Sequence, residues 1–441
     1  MLKPSAVKKL FMNVLGSAEE NINRFVRSPG RDMTRHRKCP LPDTILALMS
    51  MSMGRTNTEL LDYFSSQGRH VVSKSAFCQQ RGKLSDALLP HIFAAFNDAT
   101  PMKKRFRGYT LLAVDGSDVN IPTDRHDTAF AVKQARSDGH YYQMHVNALY
   151  DICENRYRDA IVQPRPGIDE NAALVRMARK HAGNGSCVFI ADRGYASLNT
   201  FAALSGNGNR FLIRCKSPDS PGSLLRNLVN GDGEPDTTVT IGITRSRKKC
   251  CLKQPGMYKC IGTRGKFDPI PHDDRETVYH MTLRIVAVKA GNGATEYLAT
   301  NLCEKEFPAS DIGVLYRMRW GIETSFRRLK HALSLVYFHS VRRDFIIQEL
   351  YAKLILYNLS SLLHAYAEGE RDRRERDRHY RHPRKVSFDD TVPVARRFLR
   401  FRMTNGTVLS LLLSHISSVR NEKPHPRNVR SQSVKPLNYR G

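Results

Sequence analysis

Two apolar runs, each closed by an aspartate, constrain what this chain can fold into more than any other feature. Residues 109–115 (YTLLAVD) and 186–192 (SCVFIAD) are short and strongly apolar, and each ends at a polar turn, GSDVNIP and RGY respectively. Runs of that length and composition read as buried strands, with Asp115 and Asp192 at their ends. The segments between and after them supply the rest of a unit. MHVNALYD (144–151) and RYRDAIVQP (156–164) form a hairpin about residues 152–155. Asp169 caps a helix that runs ENAALVRMARKHA, Ser197 to Leu204 is a second helix, and RFLIRCK (210–216) is a further strand.

Three strands, helix, strand, helix, strand is the order of a ribonuclease H-like α/β domain, an antiparallel meander joined to parallel strands. In such a sheet the first and fourth strands are neighbours, so two carboxylates at their ends converge at one edge. Either aspartate alone is a weak signal, because aspartate commonly starts turns. Asp118 competes with Asp115 for the role and reads as a turn residue beyond the strand.

A third carboxylate lies on the segment Tyr316 to Lys330, YRMRWGIETSFRRLK. On a continuous helix, Tyr316, Arg319, Glu323 and Lys330 fall within an arc of about 60°. Beside that arc Leu315, Met318, Ile322, Phe326, Leu329 and Leu333 make an apolar stripe that can bury the helix. A carboxylate among fixed cations suits phosphodiester chemistry, the acid holding a divalent metal and the cations holding phosphate oxygens. A solvated helix with ordinary surface ion pairs would show the same spacing.

Charge separates the classes of partner. Lys and Arg number 70 against 42 Asp and Glu, a formal net charge of +28 over 441 residues. That surplus favours a polyanion, with nucleic acid the first candidate and an anionic membrane surface the other. No apolar run approaches the roughly 20 residues that a spanning helix needs. The N-terminal MLKPSAVKKLFMNVLG lacks a sustained apolar core with a cleavage site, so a cytoplasmic protein is expected. The nine cysteines are scattered and fit reduced thiols; Cys250, Cys251 and Cys260 lack the paired spacing of a structural zinc site.

The flanks divide the chain further. Residues 1–105 read as a helical DNA-binding region in which TNTELLDYFSSQ and SKSAFCQQRGKLSDALL form two helices about a turn. As a helix-turn-helix, the second would present Gln79, Gln80, Arg81 and Lys83 to DNA; the alternative is an ordinary helical hairpin. Residues 106–216 make the first part of the core. Residues 217–300 form a β-rich insertion, either a DNA-contacting platform or a spacer. Residues 301–366 complete the core around Glu323, with another long helix over 342–366. Residues 367–441 are basic; the mixed-charge run 368–385 reads as solvated and the tail from Pro424 as a phosphate-contacting segment.

Tyr316, Arg319, Glu323 and Lys330 match, without a gap, the Tyr-x2-Arg-x3-Glu-x6-Lys signature of bacterial DDE transposases of the insertion sequence four type. AVDGSDVNIP about Asp115 resembles that family's first acidic block, IADRGYAS about Asp192 the second, and EYLATNL the strand before the third. The resemblance covers residues 40–365 and implies a ribonuclease H-like fold with a β insertion between the second aspartate and the glutamate. It implies that Asp115, Asp192 and Glu323 bind two Mg²⁺ ions, with Mn²⁺ able to substitute. It also implies that Tyr316, Arg319 and Lys330 grip phosphates of the element's terminus.

Arg327 projects near the same arc, and Arg193 is either a phosphate contact or a turn residue. Some relatives press a tryptophan from the β region against a flipped base. The only tryptophan here, Trp320, lies in the signature helix instead and is expected to pack rather than stack. The implied activity is metal-dependent cleavage and strand transfer at terminal inverted repeats of double-stranded DNA, near the bacterial nucleoid, by a homodimer that assembles on paired ends. The alternative is a catalytically inactive, transposase-derived DNA-binding protein.

Overall fold

In the computed structural model, the described residues are all except 36–37, 125, 134–138, 182–185, 230–235, 292, 377–379, 381, 419–438 and 441. The N-terminal part is helical: α1 (Pro4–Glu20), α2 (Leu41–Ser50), α3 (Thr56–Ser65), α4 (Lys74–Arg81) and α5 (Leu88–Ala99). The strands that follow are β1 (Thr110–Ile121), β2 (Ala131–Lys133), β3 (His140–Asp151) and β4 (Arg156–Pro164). Helix α6 (Glu170–Lys180), β5 (Cys187–Ala191), α7 (Leu198–Gly206) and β6 (Arg210–Cys215) come next. Asn155 takes a left-handed φ of 54° in the β3–β4 turn, a conformation that asparagine tolerates.

β4, β3, β1, β5 and β6 lie side by side in that order, the first three antiparallel and β1, β5 and β6 parallel. The strand order expected from the sequence is therefore the order observed. Alternating side chains divide between two cores. Leu111, Ala113, Val188, Ile190 and Leu212 face one core, Leu112, Val114, Phe189 and Phe211 the other. Helices α6 and α7 supply Leu174, Met177, Phe201 and Leu204 to the second core. The first is covered by α9 (Ala309–Met318), α10 (Trp320–Lys330), α11 (Arg343–Arg374) and α12 (Phe388–Arg400), together with α1 to α5.

Between β6 and α9 come β7 (Asp236–Thr244), the short α8 (Lys249–Leu252), β8 (Tyr258–Cys260), β9 (Val278–Lys289) and β10 (Thr295–Thr300). These strands do not stand apart from the core. β10 pairs antiparallel with β6, β9 with β10 and β7 with β9, so the insertion lengthens the same sheet beyond β6. Alternation in TTVTIGITR and ETVYHMTLRIVAVK announces strands but not which edge they join.

Three expectations fail on burial or length. Gln80 and Arg81 are not displayed to DNA; they are 6% and 1% exposed. Gln80 donates to the Cys39 carbonyl, and Arg81 pairs with Glu349 of α11 at 3.0 Å while its guanidinium lies over Phe345. The sequence of α4 looks like a reading helix because its polar residues are long. Those residues satisfy one another and α11 in an interior, and one apolar core runs from Val7 to Leu412 through residues 1–105. The helix expected over 342–366 extends to Arg374, so part of the charged run 368–385 is helical, with Arg371 against Glu368 and Arg373 against Glu370. β1 continues six residues past Asp115, carrying Asp118 inside the strand rather than in a turn. The tail from Pro424 lies outside the described residues but for Tyr439 and Arg440, where the Arg440 carbonyl accepts from Thr56. Among the described residues no helix is long and apolar enough to cross a membrane.

Removing one member of a buried ion pair leaves the other charge uncompensated, at a cost of about 3–5 kcal/mol. Arg81→Ala should therefore lower unfolding free energy by roughly that amount, measured by denaturant titration. A loss below about 1 kcal/mol would mean that His339, whose Nδ1 lies 3.2 Å from Glu349 and whose backbone N–H donates to it, compensates that charge alone.

Candidate catalytic site

Parallel pairing of β1 with β5 sets the site. Val114 stands opposite Ala191, so Asp115 and Asp192, the next residue on each strand, come level where β5 ends. Asp115 continues the side-chain row of Leu111 and Ala113, and Asp192 that of Val188 and Ile190. Both carboxylates therefore lie on the face that carries α10. Each is held by the chain just beyond it: Gly116 N–H donates to Asp115 Oδ1 at 2.9 Å, and Arg193 N–H to Asp192 Oδ1 at 2.5 Å.

Glu323 arrives on α10, which the predicted stripe anchors. Leu315, Ile322, Phe326, Leu329 and Leu333 are buried, and Ser325 Oγ donates to the Tyr157 hydroxyl at 2.8 Å. The segment is not one continuous helix, however. It breaks at Arg319, between α9 and α10, where Ile322 N–H bonds to the Arg319 carbonyl one residue early. Tyr316 thus belongs to α9 and Glu323 to α10. Arg319, at the break, is 3% exposed; it pairs with Glu323 at 2.9 Å and lies over the Tyr316 and Trp320 rings. The Tyr316 hydroxyl reaches Asp192 Oδ1 at 3.4 Å.

The electrostatics follow from crowding acids in a half-closed space. Burial pushes the Asp115 carboxyl up to about 6, with Glu323 and Asp192 adding to the rise against the Gly116 amide and Arg319. Burial works against the Arg319 charge, yet Tyr316, Asp192 and Glu323 outweigh it and hold the guanidinium above its ordinary range. Burial also raises the Tyr316 phenol, to about 12.

Three carboxylates with no thiolate or imidazole among them make an oxygen donor set that fits a hard divalent cation. Burial of the Asp115 charge, with the repulsion of Glu323 and Asp192 added to it, is the load such a cation would relieve. Among the described residues no three acidic, His or Cys side chains yet stand close enough to enclose a metal. Arg319 engages one oxygen of Glu323, Oε1, at 2.9 Å.

The other sequence-predicted residues surround this centre unevenly. Lys330 is half-buried; burial lowers its pKa, while Asp118 and Asp115 attract its charge. Arg327 and Arg193 are exposed, and Arg193 opens a tight turn, Arg193–Tyr195. Trp320 does not pack as expected: it is 49% exposed beside Arg319. Asp118 bonds His145 at 2.7 Å and Arg165 at 3.0 Å. His145 and its second partner Glu170 escaped sequence reasoning, since a lone His in an apolar strand carries no spacing signal.

A family model described as a transposase DDE domain matches residues 106–359. The transposase InsG for insertion sequence element IS4 of Escherichia coli (strain K12) is similar over 355 residues at 24% identity, covering 77% of this chain and 73% of that protein. A putative transposase, y4zB of Sinorhizobium fredii, is 25% identical over 226 residues, covering 51% and 54% respectively. Among solved structures, the cryo-EM synaptic complex of piggyBac transposase with hairpin DNA aligns at a TM-score of 0.46 and 9% identity, over 97% of this chain and 87% of that one.

Asp115 carries a testable signature. Its folded pKa of about 6 lies above the ordinary carboxylate value of 3.8, so the stability it contributes is complete below pH 3.8 and is lost as pH rises through 6. Asp115→Asn, which removes the penalty of the buried charge, should therefore stabilise the metal-free protein at pH 8 by up to about 2–3 kcal/mol. The gain should shrink toward pH 4. Denaturant midpoints at the two pH values measure it, and an equal gain at both would show that Asp115 is not strained by its charge.

Proposed function

The chain belongs to the DDE transposases of the insertion sequence four type, and from that premise we propose that it cuts the ends of a mobile DNA element and joins them to target DNA. Asp115, Asp192 and Glu323 are the catalytic carboxylates in this reading. The observation that carries it is the level placement of Asp115 and Asp192 on adjacent parallel strands, on the face from which α10 brings Glu323. The strand order supports a ribonuclease H-like core over 106–216 and 301–366, with the sheet extension of 217–300 between its parts.

Divalent ions, Mg²⁺ or Mn²⁺, bound by these carboxylates would activate a water or a 3′-hydroxyl and stabilise the leaving oxygen. The chain's own residues position the phosphodiester. Lys330 and Arg319 are cations near the acids, and Arg327 and Arg193 are exposed on the flanks, where strand phosphates pass. A phosphate oxygen competes with Glu323 for Arg319, since both are anions suited to the guanidinium fork. Winning that competition frees Glu323 to join the aspartates. Tyr316 stays neutral at physiological pH and can donate from its hydroxyl. The exposed Trp320 ring offers a base a flat surface beside the cut.

Asp115→Asn, Asp192→Asn and Glu323→Gln should each reduce metal-dependent nicking of terminal-repeat DNA by at least about 10³-fold while end binding stays within about threefold, because shape is kept and one metal-binding charge is lost. Gel assays of cleavage and mobility shift measure both. Nicking retained by any one variant removes that residue from the triad; a wild-type protein that binds ends and never cuts leaves a DNA-binding protein only.

One triad per chain and two ends per element require two protomers in the assembled complex. Mixing Glu323→Gln protein with wild type should yield complexes cut at one end alone. A mixture that gives complexes cut at both ends and at neither, with none cut at one end, would contradict one protomer serving each end.

A further inference from the structure

On the other side of β1 from Asp115 sits a cluster that the reaction as described does not use. His145, opposite Asp118 in the β1–β3 register, is 5% exposed. Its Nδ1 bonds Asp118 Oδ1 at 2.7 Å, and its Nε2 lies 3.0 Å from Glu170 Oε1 at the start of α6. The second contact is an ion pair rather than an aligned hydrogen bond. Arg165 closes the outer side of Asp118 at 3.0 Å.

The imidazole lies directly on the backbone that aims a catalytic carboxylate. A Cβ on Gly116 would come within 2.2 Å of His145 Nε2 and 2.6 Å of Glu170 Oε1. Only glycine lets the ring approach there, and the Gly116 N–H is the donor to Asp115 Oδ1. Glu170 reaches toward the other aspartate as well. Its Oε2 lies 3.7 Å from the place of a Cβ on Gly194, in the turn whose Arg193 N–H holds Asp192 Oδ1. The neighbouring Tyr195 hydroxyl is buried without a hydrogen-bond partner among the described residues and feels the charges of Glu170, Asp115 and Asp192 together.

We propose that Asp118, His145 and Glu170 form a charged brace that fixes the separation and aim of Asp115 and Asp192 through the backbones of Gly116 and Gly194. The inference rests on the reading of those aspartates as metal ligands. The three are positioning residues, since none touches the reacting atoms. Burial alone would discharge the imidazole, but Asp118 and Glu170 outweigh it and raise His145 to about 9. At neutral pH the brace is thus carboxylate–imidazolium–carboxylate, and it ties β1, β3 and α6 at one point. Asp118, placed in a turn by sequence pattern, lies in the strand, where the β1–β3 register sets it opposite His145.

The test is Mn²⁺ binding followed by electron paramagnetic resonance on the folded protein, beside binding of terminal-repeat DNA and metal-dependent nicking. Glu170→Gln and His145→Gln should each weaken Mn²⁺ binding about 10–100-fold, the range for residues that orient metal ligands. End binding should hold near wild type in both. Melting temperature should hold in Glu170→Gln, whose side chain is 34% exposed, and fall in His145→Gln, which leaves Asp118 and Glu170 facing each other without the imidazolium. Gly116→Ala should do the same or worse; Glu170→Gln, on the open first turn of α6, keeps the test standing if that variant does not fold. Raising Mn²⁺ should restore much of the nicking in Glu170→Gln and none in Asp115→Asn. Wild-type Mn²⁺ affinity in both Glu170→Gln and His145→Gln, with Asp115→Asn deficient, overturns the brace alone. Wild-type affinity in Asp115→Asn and Asp192→Asn overturns the ligand reading and the brace with it. Weakened Mn²⁺ binding that only tracks a matching loss of end binding and fold overturns positioning as the cause.

Discussion

The parallel register of β1 and β5 is the constraint on which the rest depends. Backbone pairing of Val114 with Ala191 makes it unavoidable that the next side chains, Asp115 and Asp192, emerge level on one face. Side chains alternate strictly along a strand, so a slip of one residue would send one carboxylate into the opposite core, against α6 and α7. The buried rows on both faces of these strands forbid that slip. Val188, Ile190, Phe189 and Ala191 are each 0% exposed. A geometry the chemistry needs is thus enforced by apolar packing that knows nothing of the chemistry.

Having set two acids level and added a third from α10, the fold must live with their repulsion. It does so by placing Arg319 among them at the break between two helices. The Arg319–Glu323 pair has the i,i+4 spacing of an ordinary exposed pair on a helix. The break instead leaves a 3% exposed guanidinium, stacked by Tyr316 and Trp320 and paired with Glu323. Its buried Nε has no hydrogen-bond partner among the described residues, so donor capacity remains for an incoming anion.

Local pattern revealed what repeats with a period and missed what depends on distant partners. The strands of the core, the Asp169 cap and the apolar stripe of α10 were legible because each is a short-range regularity. The two aspartates were legible because each follows such a run. Asp118 was misplaced because a polar stretch, GSDVNIP, looks like a turn. It is in a strand because residues 116–121 pair with β3 through Ile121 opposite Tyr142, a long-range pairing that no local pattern announces. Gln80 and Arg81 were misread for the mirror reason: polar side chains suggest a surface, and nothing near them announces Glu349 and Gln348 of α11. The insertion's strands were visible, but their joining of β6 is a matter of long-range pairing.

Burial of Arg81 also bears on how the protein meets DNA. A helix whose last turn is locked to α11 cannot swing independently to read a groove, and α1 to α5 share their core with α11 and the sheet. The described residues of 1–105 are thus packed through one apolar core onto α11 and the face of the sheet that carries Asp115 and Asp192. The exposed cations of this part, among them Arg24, Arg27 and Arg31, are fixed relative to Asp115 and Asp192 by the same packing. Phosphate contacts carry register and orientation rather than sequence. The packing of α4 against α11, through Arg81 on Glu349 and the Phe345 carbonyl, is what holds these cations at a definite distance from Asp115 and Asp192.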